Sequence, residues 1–99
     1  MPAVVAAVAE HVPLDRIALH LHDTGGRALA NVAAGLDAGV RTLDSSASGL
    51  GGCPFAPGAP GNLATEALVR FLHGQGLETG VDPDAVERAG RTVRSRLAA

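Results

Sequence analysis

Two histidines set one residue apart, His20 and His22, are the first residues here whose types and spacing point to chemistry. They lie in RIALHLHD, where Ile17, Leu19 and Leu21 alternate with Ala18, His20 and His22. A period of two reads as a strand over residues 17–22, with both imidazoles on one face and their Cα atoms roughly 6.5–7 Å apart. At that separation both rings reach a single metal ion. The competing reading is a pair of polar side chains on a solvated strand face. Asp23 follows at the C-terminal end of the strand, the end at which parallel α/β barrels keep their sites.

Cys53, the only cysteine, is the second candidate. It sits in GLGGCP, within SSASGLGGCPFAPGAPG (45–61), a stretch of glycine, proline and small residues. A loop of that length without secondary structure is uncommon and often functional. A reachable thiol there can serve as general acid/base or nucleophile. Taken alone, a lone cysteine reads better as a small apolar filler in a turn. Asn62 and Glu66 are the third candidate. At i and i+4 they share one face of a helix that begins at Asn62. Asn62 then reads either as the N-cap or as an amide-oxygen ligand at the end of the loop, with Glu66 behind it. Weaker signals are the loop glycines as a phosphate cradle, His73 near a helix C-terminus as a dipole partner, His11 at the surface and Asp44 at a strand end.

The elements that must position these residues follow from pattern. PAVVAAVAEH (2–11) reads as a helix with Val4, Val5 and Val8 at helical spacing, ended by Pro13. After the 17–22 strand and a Thr24-Gly25-Gly26 break, RALANVAAGLDA (27–38) is helical, and Gly39 stands at its C-terminal cap. VRTLD (40–44) reads as a second strand. NLATEALVRFLHGQG is a helix facing a core with Leu68, Phe71 and Leu72. Asp82-Pro83 opens the last helix, which carries Val86, Ala89, Val93 and Leu97. Alternating strands and helices predict a parallel α/β arrangement. Two strands are too few for a sheet of their own, and a (β/α)8 barrel takes about 250 residues. The expected fold is therefore the C-terminal portion of a (β/α)8 TIM barrel, about two βα units plus a C-terminal helix, with residues 1–99 forming an incomplete barrel.

Composition sets the outer bounds. The 99 residues are 46% hydrophobic, 2% aromatic and 18% charged, with a net charge of -2. That is a folded chain with a core of small side chains, and its charge gives no case for nucleic acid or an anionic membrane. The apolar N-terminal run is too short to span a bilayer and lacks a basic flank. One cysteine cannot form an intramolecular disulfide, so a reducing compartment, the cytoplasm, is the expected location.

The runs HLHDTGGRALAN, DSSASGLGGCPFAPGAPGNLATE and LHGQGLETGVD resemble the C-terminal third of hydroxymethylglutaryl-CoA lyases, over residues from about 10 to 90. GLGGCP is the most specific of these motifs. The resemblance implies that His20, His22 and Asn62 ligate a divalent ion, Mg²⁺ or Mn²⁺. It implies that Cys53 takes part in acid/base chemistry and that Glu66 supports the site. It also implies cleavage of 3-hydroxy-3-methylglutaryl-CoA to acetyl-CoA and acetoacetate, an acyl-CoA substrate, and a chain that self-associates or joins an N-terminal barrel portion. Departures at Gly25, Arg27, Ala47, Ser48 and Phe55 leave every implied ligand in place. The Arg-Asp pair of the family's first strand has no counterpart in these residues, so little activity is expected of this chain alone. Three other readings stand beside the lyase. An isopropylmalate- or homocitrate-type synthase shares H-x-H but usually lacks the loop cysteine. An inactive remnant keeps the motif by descent. A Cys–His hydrolase would waste the paired histidines.

Overall fold

The structure, a computed structural model, describes residues 2–51 and 61–98. Helix α1 spans Pro2–Ala9, strand β1 Ala18–His20, helix α2 Ala28–Asp37, strand β2 Thr42–Asp44, helix α3 Thr65–Gly74 and helix α4 Pro83–Ala98. β1 and β2 pair in parallel, with Ala18 opposite Thr42, Leu19 opposite Leu43 and His20 opposite Asp44. α2 is the crossover that a parallel pair requires. The molecule is thus an α/β unit with a small open sheet, as the alternation predicts, and not a closed barrel.

The strand expected over 17–22 is shorter, because its last residues find a different partner. Leu63 donates its N–H to the Leu21 carbonyl at 3.0 Å, and Asp23 donates to the Gly61 carbonyl at 3.1 Å. His22 and Asn62 form an antiparallel bridge. The residues after β2 turn to the same segment. Ser46 donates to the Leu63 carbonyl at 3.0 Å, and Thr65 donates to the Ser46 carbonyl at 2.9 Å. Backbone polar groups at both strand ends are therefore satisfied by residues 61–65, inserted between them.

Two clusters of apolar side chains hold the layers together. Ala28 and Val32 of α2 pack with Leu63 and with Leu68 and Leu72 of α3, and Leu21 and Leu43 cover them from the sheet. Val5, Ile17 and Val40 form the second cluster beneath α1. α1 is shorter than 2–11. It stops at Ala9, where the N–H groups of His11 and Val12 both return to the Val8 carbonyl, and of its valines only Val5 is buried. Gly39, at φ 102°, ends α2 in the left-handed region. Asp82 caps α4 as expected, its carboxylate accepting from the N–H groups of Asp84 at 3.0 Å and Ala85 at 3.4 Å.

The apolar stripe of α4 behaves differently from its pattern. Val93 is 47% and Leu97 73% exposed, and Ala89 is exposed as well. The buried residue of this helix is Gly90. α4 approaches the rest of the chain through backbone rather than through large side chains, on the turn Ala47–Gly49 and on α3. Arg70 of α3 ties the two helices at the surface, donating to Asp84 at 2.8 Å and to Glu87 at 3.2 Å.

Leu63 is 3% exposed and belongs to both the backbone seam and the core. Leu63→Ala is expected to cost about 2–5 kcal/mol. Urea unfolding followed by circular dichroism measures it, and a loss comparable with that of an exposed-site control such as Leu97→Ala would contradict the keystone role.

Candidate functional site

The two histidines emerge at the C-terminal ends of the strands, on the face that the open sheet leaves uncovered. Their rings stand edge to face, with centroids 5.3 Å apart. The pleat explains this directly, since residues 20 and 22 share a face even where the ladder has given way to the 61–63 segment. His20 Nδ1 is hydrogen-bonded to Asp44 Oδ1, its register partner on β2. That contact fixes the ring and leaves Nε2 as its outward nitrogen. A carboxylate on the far nitrogen is the usual orienting partner of a metal-binding imidazole.

Asn62 stands beside His22 through the antiparallel bridge. It is not an N-cap and does not lie on a helix face with Glu66. α3 starts at Thr65 with Ala64 at the cap position, because residues 61–64 are held extended by the two strand ends. The Asn62 side chain is oriented by its amide nitrogen, which donates to the Leu50 carbonyl at 2.8 Å and to the Gly51 carbonyl at 3.3 Å. Carbonyls only accept, so the nitrogen must face them and Oδ1 must be the other end. Oδ1 is buried and has no partner, the one such side-chain atom among the described residues. An unpartnered buried acceptor costs about 1–3 kcal/mol, which a ligand on Oδ1 would offset.

Two imidazoles and a free amide oxygen are a donor set that suits a divalent ion of the manganese or magnesium type, with zinc compatible through the imidazoles. Among the described residues no group of three or more histidine, cysteine, aspartate and glutamate side chains stands together. The set therefore depends on the asparagine. Cys53 belongs to residues 52–60, outside the described residues.

Glu66, buried in the first turn of α3, faces the loop instead of a ligand. Its carboxylate accepts from the Ser48 N–H at 2.9 Å and from the Ser48 hydroxyl at 3.4 Å. Burial pushes its carboxyl up, but the N–H donors of Glu66 and Ser48, the Ser48 hydroxyl and the Arg70 cation outweigh burial and hold it below its ordinary 4.5. Gly49 and Gly61, at the two ends of the loop, stand at positions of close approach. A Cβ at Gly61 would stand 2.4 Å from the Gly49 carbonyl oxygen, and one at Gly49 would stand 2.8 Å from the Asn62 carbonyl oxygen. Asp23 caps the start of α2, accepting from the Ala28 N–H at 3.1 Å, and His73 pairs with Thr79 at 2.9 Å. Asp44, a weak signal in the sequence, gains its partner His20 only through the strand register. The role of Ser48 emerges only from the packing of α3 and α4 on the turn Ala47–Gly49.

A βαβ unit with paired imidazoles and an amide oxygen at its strand ends defines a portion of a parallel barrel with a candidate metal centre. The chain belongs to the HMGL-like family, whose profile matches residues 1–93. A hydroxymethylglutaryl-CoA lyase of Pseudomonas mevalonii is 54% identical over 89 residues, covering 90% of this chain and 30% of the relative. The crystal structure of a hydroxymethylglutaryl-CoA lyase from Pseudomonas aeruginosa superposes with a TM-score of 0.90 at 46% identity, over 99% of this chain and 33% of that one. An HMG-CoA lyase from Acinetobacter baumannii, solved in complex with coenzyme A and 3-methylmalate, gives 0.85 at 40% identity, over 98% of this chain and 32% of that one. The chain thus spans about a third of the length of these proteins. No helix among the described residues is long and apolar enough to cross a membrane.

The Glu66 carboxyl gives a pH prediction. Its folded value lies below 4.5, so its contribution to stability is complete above that value and drains away as pH falls through the lower folded value. Glu66→Gln is expected to cost about 1 kcal/mol at neutral pH. It should also flatten the decline of unfolding free energy below pH 4.5. Urea titrations at a series of pH values measure both, and parallel acid limbs in the two proteins would contradict the assignment.

Proposed function

We propose that this chain is the C-terminal portion, residues 1–99, of a barrel that cleaves 3-hydroxy-3-methylglutaryl-CoA to acetyl-CoA and acetoacetate, and that it contributes His20, His22 and Asn62 to a divalent metal site. The observation that carries this reading is the buried, unpartnered Oδ1 of Asn62, a residue whose backbone pairs with His22 and whose amide nitrogen is held by two carbonyls. Mg²⁺ or Mn²⁺ bound there would polarise the substrate's hydroxyl and carbonyl oxygens and stabilise negative charge on them.

The chain's own residues then have separate tasks. His20 is held by Asp44, so its ring is presented in one orientation without a search through rotamers. Asn62 is held by the Leu50 and Gly51 carbonyls, which keeps its oxygen and not its nitrogen toward the ligand. In the cleavage, a base takes the proton of the tertiary hydroxyl. The C–C bond to the thioester-bearing carbon breaks as the hydroxyl carbon becomes the ketone of acetoacetate. The electron pair passes to the acetyl-CoA enolate, which takes up one proton. Cys53, on the loop whose neck Asn62 closes, is the proposed acid for that last transfer. The coenzyme A held by the Acinetobacter relative supports an acyl-CoA substrate. A single cysteine fits a reducing compartment, and the cytoplasm is the location we infer.

Manganese titration followed by electron paramagnetic resonance tests the site. One ion per chain is expected, with His20→Ala and Asn62→Ala each weakening it at least about tenfold. Affinity unchanged in both variants would overturn the ligand set. Turnover of 3-hydroxy-3-methylglutaryl-CoA by this chain alone, at the rate of a full-length relative, would overturn the view that the reaction needs further barrel.

A further inference from the structure

Ser48 is the one non-glycine residue among those described whose φ is positive, at 55°. Such a conformation persists only where the surroundings over-determine it. Here they do so from three directions. The Ser48 N–H and hydroxyl both go to Glu66 of α3. Its carbonyl accepts from the Arg94 guanidinium of α4. Across from it, Gly90 of α4 leaves no room for a methyl group. A Cβ at position 90 would stand 2.3 Å from Ser48 Oγ, 3.0 Å from its Cβ and 3.1 Å from its nitrogen.

The three residues that follow this clamp, Gly49 to Gly51, lie against Gly61 and Asn62. Gly49 presses its carbonyl against Gly61, and Leu50 and Gly51 present the two carbonyls that orient the Asn62 amide. We infer that α4, through Gly90 and Arg94 and together with Glu66, is the positioning element for Asn62, locking Ser48 so that the Leu50 and Gly51 carbonyls hold the asparagine oxygen free for a ligand. The ligand part of this inference rests on the metal reading proposed above, whereas the orientation of the amide does not. It assigns a function to a helix whose Val93 and Leu97 are exposed and whose buried residue, among those described, is a glycine. It also predicts that alanine, the better helix former, is the worse residue at position 90.

Hydrogen exchange of the Asn62 side-chain amide, read by NMR on the ¹⁵N-labelled chain, tests the clamp without any metal. Manganese affinity tests its consequence. Gly90→Ala and the milder Arg94→Gln are expected to speed that exchange at least about tenfold. Both should weaken manganese by a similar factor. Ser48→Gly, which removes the colliding Cβ and Oγ, is expected to restore both readouts in the Gly90→Ala background. Val5→Ala, in the separate core cluster, should lower the unfolding midpoint and leave the Asn62 amide unmoved. Exchange at wild-type rate in Arg94→Gln and Gly90→Ala would overturn the inference, as would an equal acceleration in Val5→Ala. If Gly90→Ala fails to fold, Arg94→Gln decides. If the wild-type chain binds no manganese, the metal reading fails, and the exchange arm still decides whether α4 positions Asn62.

Discussion

The site depends on one short seam, the insertion of residues 61–65 between the ends of two parallel strands. Leu63 is its centre. Its N–H goes to Leu21 of the chain leaving β1, its carbonyl accepts from Ser46 of the chain leaving β2, and its side chain is buried against α2 and α3. A parallel pair ending at His20 and Asp44 would otherwise leave its next backbone groups without partners. The seam satisfies those groups and, in the same step, places Asn62 against His22. Backbone pairing at the strand ends, rather than any attraction between the functional side chains, brings the candidate ligands together.

Three side chains of the candidate site, His20, Asn62 and Glu66, are each held by a contact of their own. Asp44 takes the inner nitrogen of His20, two carbonyls take the nitrogen of Asn62, and Ser48 takes the carboxylate of Glu66. These contacts differ in what they satisfy. Glu66 and Ser48 complete one another, so their burial is balanced. Asn62 is half satisfied, with both donors directed and its oxygen left over. A buried polar group left open in an otherwise paired neighbourhood is the feature that separates a prepared site from a structural network.

The sequence made the local devices legible and the long-range ones obscure. The period-two run put His20 and His22 on one face, and that face is open in the fold. Asp82-Pro83 and Gly39 marked helix ends correctly, since each is a local backbone requirement carried by one or two residues. Asn62 shows the limit. An asparagine three residues before a helical run resembles an N-cap, and nothing local reveals that two strand ends reach around to hold it extended. Asp44 needed the register of β1 against β2, a relation between residues 24 apart. The stripe Val86, Ala89, Val93 and Leu97 had the right period for a core-facing helix, yet the packed contact is Gly90, because the contact there is made by backbone and periodicity counts only large apolar side chains.

The glycines of the loop change meaning for the same reason. From the sequence, the run of glycines beside Cys53 suggests a phosphate cradle. In the fold, Gly49, Gly61 and Gly90 each stand where a Cβ would collide with a neighbouring carbonyl oxygen or with Ser48. They are positions of closest approach, where two limbs of chain and a helix come together at backbone distance. A neck built that way limits how far its first and last residues can move, since any separation forfeits the hydrogen bonds of Leu50, Gly51 and Ser48 together. Asn62 is held at the base of this neck by the Leu50 and Gly51 carbonyls. An amide oxygen held at a constant place suits the metal site proposed above, because charge that develops in a reaction is stabilised best by groups already fixed where it appears.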